Sequence, residues 1–219
     1  MKLIIKMLCC VQIYITGQTI SLHPPPTFTP SLSKVVWGGE TMAKNPGKNF
    51  EDDFKTSIDK DRCLLLRLND QPQSFAKTAR FSLKPPCDFV LYDSSTKLFV
   101  PLELKTTKYR SMSYENINEE NPNNAMIHKH QLEKLLEFSK YNGVKSGLLL
   151  NFRSEETNIQ RTYYISIQNF LDMCQKINKK SVNEIDLINV GNALKVNGIK
   201  KRSRYLWDVN GLLDKLKNI

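Results

Sequence analysis

Between Asp88 and Ile177 the sequence switches repeatedly between two hydrophobic periodicities, and this alternation limits the fold more than any other feature. Asp88 to Tyr92 and Leu98 to Thr106 are short apolar runs joined by the turn-forming stretch Asp93-Ser94-Ser95-Thr96-Lys97, and they read as the two strands of a hairpin. Leu132, Leu135, Leu136 and Ser139 share one helix face, and Asn142-Gly143 ends that helix. Two more strands, Gly147 to Phe152 and Thr162 to Ile167, precede a helix over about Gln168 to Ile177. Upstream, Phe50, Phe54 and Ile58 recur at helical spacing. They predict a helix from about Asn49 to Asp59, with Asn49 as N-cap and Glu51, Asp52 and Asp53 in its first turn, followed by the short apolar run Cys63 to Leu68. A polar, basic segment and a last helix near Val209 to Leu216 follow at the other end. Strands interleaved with helices, without an internal repeat, predict an α/β domain.

The 219 residues suffice for one domain and a tail. With 40% hydrophobic and 25% charged residues and a mean hydropathy of -0.41, the membrane, disordered and collagen-like classes are excluded. A formal charge of +10 favours a polyanionic partner, nucleic acid being the commonest. The five cysteines are an odd set with no C-x-x-C pair, which argues against a disulfide framework or a zinc ribbon and suits a reducing cytoplasm. His128 and His130, two apart, are expected to point their rings in different directions as polar residues at a helix start.

Residues 1–41 do not share the patterning of the rest. Met1 to Ile15 is interrupted by Lys6 and Gln12 and is shorter than the roughly 20 residues a membrane span needs. No A-x-A-like cleavage site follows it, only the Pro-rich stretch from Leu22 to Pro30. Gly38-Gly39-Glu40, whose codons would be rich in G and A as a bacterial ribosome-binding site is, stands just before Met42. The expectation is a non-globular leader over 1–41, an over-extended start, and a domain over 42–219. Removing the leader takes away three lysines and one glutamate and leaves +8, so the basic character belongs to the domain.

The hairpin carries the chemistry. Glu103 and Lys105 project from one face of their strand while Leu102 and Leu104 point to the other, and Asp88 opens the neighbouring strand. Two carboxylates at adjoining strand ends can converge on a hard cation such as Mg²⁺, with Mn²⁺ the alternative, and a lysine beside them can hold the attacking water and offset phosphate charge. The same letters also describe the solvated face of an edge strand.

Pro86-Cys87-Asp88 with Glu103-Leu104-Lys105 resembles the signature of the PD-(D/E)xK nuclease superfamily. Asn45 to Asp53, Asp88-Phe89-Val90, Leu102 to Lys108, Asn116-Ile117, His128-Lys129-His130-Gln131 and the basic Lys200 to Tyr205 are similar to segments of the RecU family of Holliday junction resolvases. The resemblance covers most of Met42 to Ile219. It implies a restriction-endonuclease-like core, with a mixed central sheet flanked by helices. It also implies a cytoplasmic, metal-dependent homodimeric endonuclease that resolves four-way DNA junctions by paired phosphodiester hydrolysis.

On that resemblance Asp88, Glu103 and Glu51 bind the metal, Lys105 positions the water, and Gln131 orients that water or Lys105. Lys108 and Arg110, and in the tail Lys200, Lys201, Arg202 and Arg204, contact the DNA backbone. The alternatives are another PD-(D/E)xK nuclease, of restriction or repair type, and a non-catalytic binder of branched DNA. RecU-like proteins carry a stalk before the catalytic hairpin, for which only about Leu68 to Lys84 is available here. The 24 Lys against 8 Arg suggest an AT-rich genome, which fits a phage-borne source.

Overall fold

The computed structural model describes residues 45–68, 85–117 and 124–218, all within the unit Met42–Ile219. The leader and the stalk stretch 69–84 lie outside these described residues. In chain order come α1 (Pro46–Thr56), β1 (Cys63–Arg67), β2 (Phe89–Asp93), β3 (Leu98–Thr107), β4 (Ser111–Ser113), α2 (Lys129–Phe138), β5 (Gly147–Arg153) and β6 (Gln160–Ser166). They are followed by α3 (Ile167–Ile177), β7 (Ser181–Asn183), α4 (Glu184–Asn189), β8 (Leu194–Val196), β9 (Gly198–Lys201), β10 (Arg204–Trp207) and α5 (Val209–Lys217).

Six strands form a mixed sheet in the order β1-β2-β3-β5-β6-β8. β2 runs antiparallel to β3 with Phe89 opposite Leu102, whereas β5 lies parallel to β3 with Leu150 opposite Lys105, the crossover passing through α2. Helices cover both faces, as the sequence predicts for an α/β domain. Leu98, Val100, Leu102 and Leu104 of β3 pack in one core with Phe50 and Phe54 of α1 and Leu213 of α5. A second core on the opposite face joins Leu148 and Leu150 of β5 to Leu132 and Leu135 of α2 and Phe170 of α3. Gly143, with a φ of 79° that favours glycine, lies in the turn beyond α2. No helix among the described residues is long and apolar enough to cross a membrane.

Three readings are corrected or completed. α1 begins at Pro46, because Asn45 rather than Asn49 caps it: the Asn45 side chain accepts the backbone N–H groups of Gly47 at 3.1 Å and Lys48 at 3.3 Å. Glu51, Asp52 and Asp53 therefore lie past the first turn, beyond the unpaired amides that would favour them there.

The basic tail, secondly, which the sequence leaves as a polar, basic segment, is a ribbon of β9 and β10 with Lys201 opposite Arg204. Arg202 takes a left-handed φ of 53° in the two-residue turn between them. Tyr205 and Trp207 face inward and stack at 5.1 Å, and Gly198 is glycine because a Cβ there would stand 2.4 Å from the Trp207 ring. Thirdly, His128 is the extended N-cap of α2 rather than a helical residue, so its ring stacks on that of His130 at 5.6 Å and 16° instead of diverging from it.

The ribbon fastens α1. Buried Asp53 accepts the Tyr205 amide at 3.2 Å and the guanidinium of Arg204, while Ser57 Oγ accepts the Trp207 amide at 2.8 Å. At the far end of the hairpin, fully buried Asp93 accepts from Arg62 Nε at 2.9 Å and Nη2 at 2.8 Å, from both the amide and hydroxyl of Ser95, and from Thr96 Oγ1. Arg62 also reaches Asp214 of α5 at 2.7 Å, so one guanidinium ties the start of β1, the β2–β3 turn and the last helix together. Its hydrogen bonds hold the Asp93 carboxyl well below the usual carboxylate range, with the Ser95 and Thr96 donors adding to the effect.

A carboxyl depressed in the folded state contributes stability that is complete above its unfolded pKa and fades as pH falls through the folded value. Asp93→Asn should cost about 3 kcal/mol in urea denaturation at pH 7, because it breaks a buried charge pair. The gap to wild type should narrow steadily below about pH 4. A gap independent of pH would show that packing, not charge, gives Asp93 its role.

Candidate active site

Asp88 stands one residue beyond the Phe89–Leu102 pair, a register that sets it across from Glu103. Its Oδ2 accepts the Leu104 backbone N–H at 2.8 Å, which fixes the carboxylate against β3. β3 is a central strand, so Glu103 does not look into solvent: it is 2% exposed, beneath the N-terminus of α2. Lys105 Nζ lies 3.0 Å from Glu103 Oε1, and Gln131 Nε2 donates to the same oxygen. Gln131 Oε1 meanwhile accepts the His128 amide at 3.0 Å. The glutamine thus caps its own helix and grips the carboxylate at once.

These groups line one pocket of about 320 Å³ together with Pro85, Cys87, His128 and His130. Burial pushes the Glu103 carboxyl up to about 7, Lys105 opposing the shift and Asp88 adding to it. Burial also raises Asp88, against the Leu104 amide and Lys105. Two carboxyls raised by burial therefore face one pocket, and the charge of Asp88 adds to the rise at Glu103. That is the donor set for a hard divalent ion, which takes one or two carboxylates and fills its remaining positions with water and phosphate oxygens. Burial likewise pushes the Cys87 thiol up to about 12, which leaves it a poor nucleophile.

Glu51 is not brought into this pocket. Its Oε2 is buried and lies 2.5 Å from Arg67 Nη2, an ion pair whose angles do not make a hydrogen bond. Burial raises its carboxyl, Arg67 counteracts this, and the charge of Asp88 is near enough to add to the rise. Among the described residues no three His, Cys, Asp or Glu side chains form a ready metal cluster.

The residues expected to meet DNA fall into two groups. Lys108 and Arg110 border a groove of about 720 Å³ beyond the ends of β3 and β5, which also holds Arg153, Arg161, Glu155 and Glu184. Charges of both signs line it, with Lys108 3.6 Å from Glu155 and Arg161 paired to Glu184 at 2.6 Å. Lys200, Lys201 and Arg202 are exposed on the ribbon, Lys200 reaching the Asn158 carbonyl at 3.4 Å. Arg204 is engaged in the fold itself, through Asp53 and the Asn49 carbonyl.

Sequence reasoning missed Arg67, Glu115 and the two histidines as parts of this neighbourhood. The H-x-H-Q run was the signal for the histidines. Nothing local marks Arg67, which meets Glu51 only because β1 ends beside α1.

No protein-family model matches the chain. The SPbeta prophage-derived uncharacterized protein YotM of Bacillus subtilis (strain 168) is 26% identical over 186 residues, which span 80% of this chain and 88% of YotM. Among solved structures, that of Hjc from Archaeoglobus fulgidus, a Holliday junction resolvase from an archaeal hyperthermophile, is 16% identical with a TM-score of 0.42, covering 68% of this chain and 95% of that one.

A carboxyl raised by burial holds its proton in the folded chain over a pH range where the unfolded chain has lost it. Metal-free stability must therefore fall as pH rises from about 4.5 towards 7. Glu103→Gln removes that penalty. Without divalent ions it should be more stable than wild type by on the order of 2 kcal/mol at pH 8, and no more stable at pH 4. Thermal melts in EDTA at the two pH values measure this, and a variant less stable at pH 8 would refute the assignment of a strained carboxylate.

Proposed function

We propose that the protein is a metal-dependent DNA endonuclease that cuts branched DNA, its preferred substrate being a four-way junction. The observation that carries this reading is half-buried Asp88 set across from buried Glu103, with Lys105 beside them, on adjoining central strands and open to one pocket. A protein that only bound DNA would gain nothing from two crowded carboxylates facing phosphates. The junction part of the reading rests on the run from Glu103 to Lys108 together with His128 to Gln131, which resemble the RecU family.

Asp88 and Glu103 are the residues that would hold Mg²⁺ or Mn²⁺, and the bound ion would polarise the scissile phosphate and ease deprotonation of a water. Lys105 orients that water and offsets charge gathering on the phosphate. Gln131 keeps the Glu103 carboxylate aimed at the pocket, while Glu51, paired with Arg67, reaches Asp88 only through its charge. Lys108, Arg110 and the ribbon cations Lys200, Lys201 and Arg202 hold flanking phosphates, which would make affinity fall with salt. Two copies of the chain, each with one such site, would place one cut on each of two strands.

Wild-type protein with Mg²⁺ should nick a synthetic four-way junction faster than linear duplex of the same sequence. Asp88→Asn should lose activity by orders of magnitude while still binding junction in EDTA. Lys105→Ala should fall at least about a hundredfold in rate. Equal rates on junction and duplex would favour a restriction- or repair-type nuclease. Junction binding without any cutting in Mg²⁺ or Mn²⁺ would favour a binding protein.

A further inference from the structure

The pocket has a helix wall as well as a strand wall. Asp88, Glu103 and Lys105 come from β2 and β3, whereas His128 and His130 come from the start of α2. His128 Nδ1 lies 3.1 Å from Glu115 Oε1, and the second oxygen of Glu115 accepts the Lys129 amide at 2.6 Å. Those contacts hold the Glu115 carboxyl below its usual range, the Lys129 amide first and His128 next. A carboxylate so anchored accepts a hydrogen from Nδ1 whether the ring is charged or neutral, fixes the ring's orientation, and leaves Nε2 as the nitrogen that can exchange a proton with the pocket. Around this ring stand Glu115 from the segment after β4, Lys129 and His130 from its own helix, and across the pocket Asp88, Glu103 and Lys105.

Hydrolysis of a phosphodiester expels an alkoxide, a poor leaving group unless a proton reaches it as the bond breaks. Nucleophile and leaving group lie in line on opposite sides of phosphorus. Lys105, 3.0 Å from Glu103, belongs to the strand wall and serves the water side. With the water on the strand side, the leaving oxygen would face the helix wall.

We propose that His128 is a catalytic residue, the general acid that protonates the departing 3′-oxygen. The assignment rests on the nuclease reading above. The water oxygen bonds to phosphorus, and the P–O3′ bond breaks with its electron pair on O3′. That oxygen takes the proton from His128 Nε2, the water's own proton passes to solvent in the open pocket, and solvent then re-protonates the imidazole. Glu115 is a positioning residue that acts through the ring.

The test is single-turnover cleavage of two junctions, in Mg²⁺ and separately in Mn²⁺. One carries an ordinary phosphodiester at the mapped incision step, and the other a 3′-bridging sulfur, whose thiolate leaves without needing a proton. His128→Asn keeps a good helix cap and so preserves α2. It should cut the oxygen substrate about a hundredfold more slowly than wild type, and the sulfur substrate within a few-fold of it. Glu115→Gln should show the same selectivity, at smaller size. Equal losses on both substrates, or no loss on either, would overturn the assignment while leaving the nuclease reading intact. A wild-type protein inert on both would overturn the two together.

Discussion

β3 has a strand on each side and helices over both faces, and this confinement determines what its side chains can do. Leu98, Val100, Leu102 and Leu104 fill the core under α1 and α5. Glu103 has no comparable place: burying a carboxylate costs several kcal/mol unless donors and cations compensate. Lys105 and Gln131 compensate in part, and Asp88 works against them. A fold selected for stability alone would put an apolar residue at position 103. The strain accords with the proposed cation site, where the carboxyl pair that repels itself would be the pair that binds.

The surroundings of that strand are equally specific. Asp53 accepts from β10, and Ser57 accepts the Trp207 amide, so α1 is aligned on the ribbon by directional bonds as well as by Phe50 and Phe54. The alignment sets Glu51 beside Arg67 and within electrostatic reach of Asp88. Gln131 provides the matching constraint on the other face, joining the first turn of α2 to β3.

What the sequence made legible were the elements with many buried residues. β2, β3, β5, β6 and α3 each bury enough apolar side chains to impose a period, and they were placed to within about two residues. β4 and β7 bury one residue each and β9 none, so no pattern exists to be read. At α1 the helical spacing of Phe50, Phe54 and Ile58 pointed to Asn49 as cap, whereas Pro46 at the first helical position makes Asn45 the cap. In the site, Asp88, Glu103 and Lys105 could be named from their spacing, and Gln131 from the resemblance of its H-x-H-Q run to the RecU family. The burial of Glu103 could not, because alternation along a strand says which residues share a face and not what covers it. The same limit hid Arg67 and Glu115, whose partners are chosen by tertiary contact.

The dependence of α1 on β10 also orders events in time. Asp53 waits for Arg204 and Tyr205, about 150 residues further along the chain, and contacts so distant in sequence form late because the intervening loop must close first. During synthesis the strands of the central sheet can emerge and pair while the helix bearing Glu51 still lacks its seat. A chain on the ribosome would therefore hold its hairpin carboxylates before the helix is clamped over the sheet, and the last ribbon to be made would act as the latch that completes the domain.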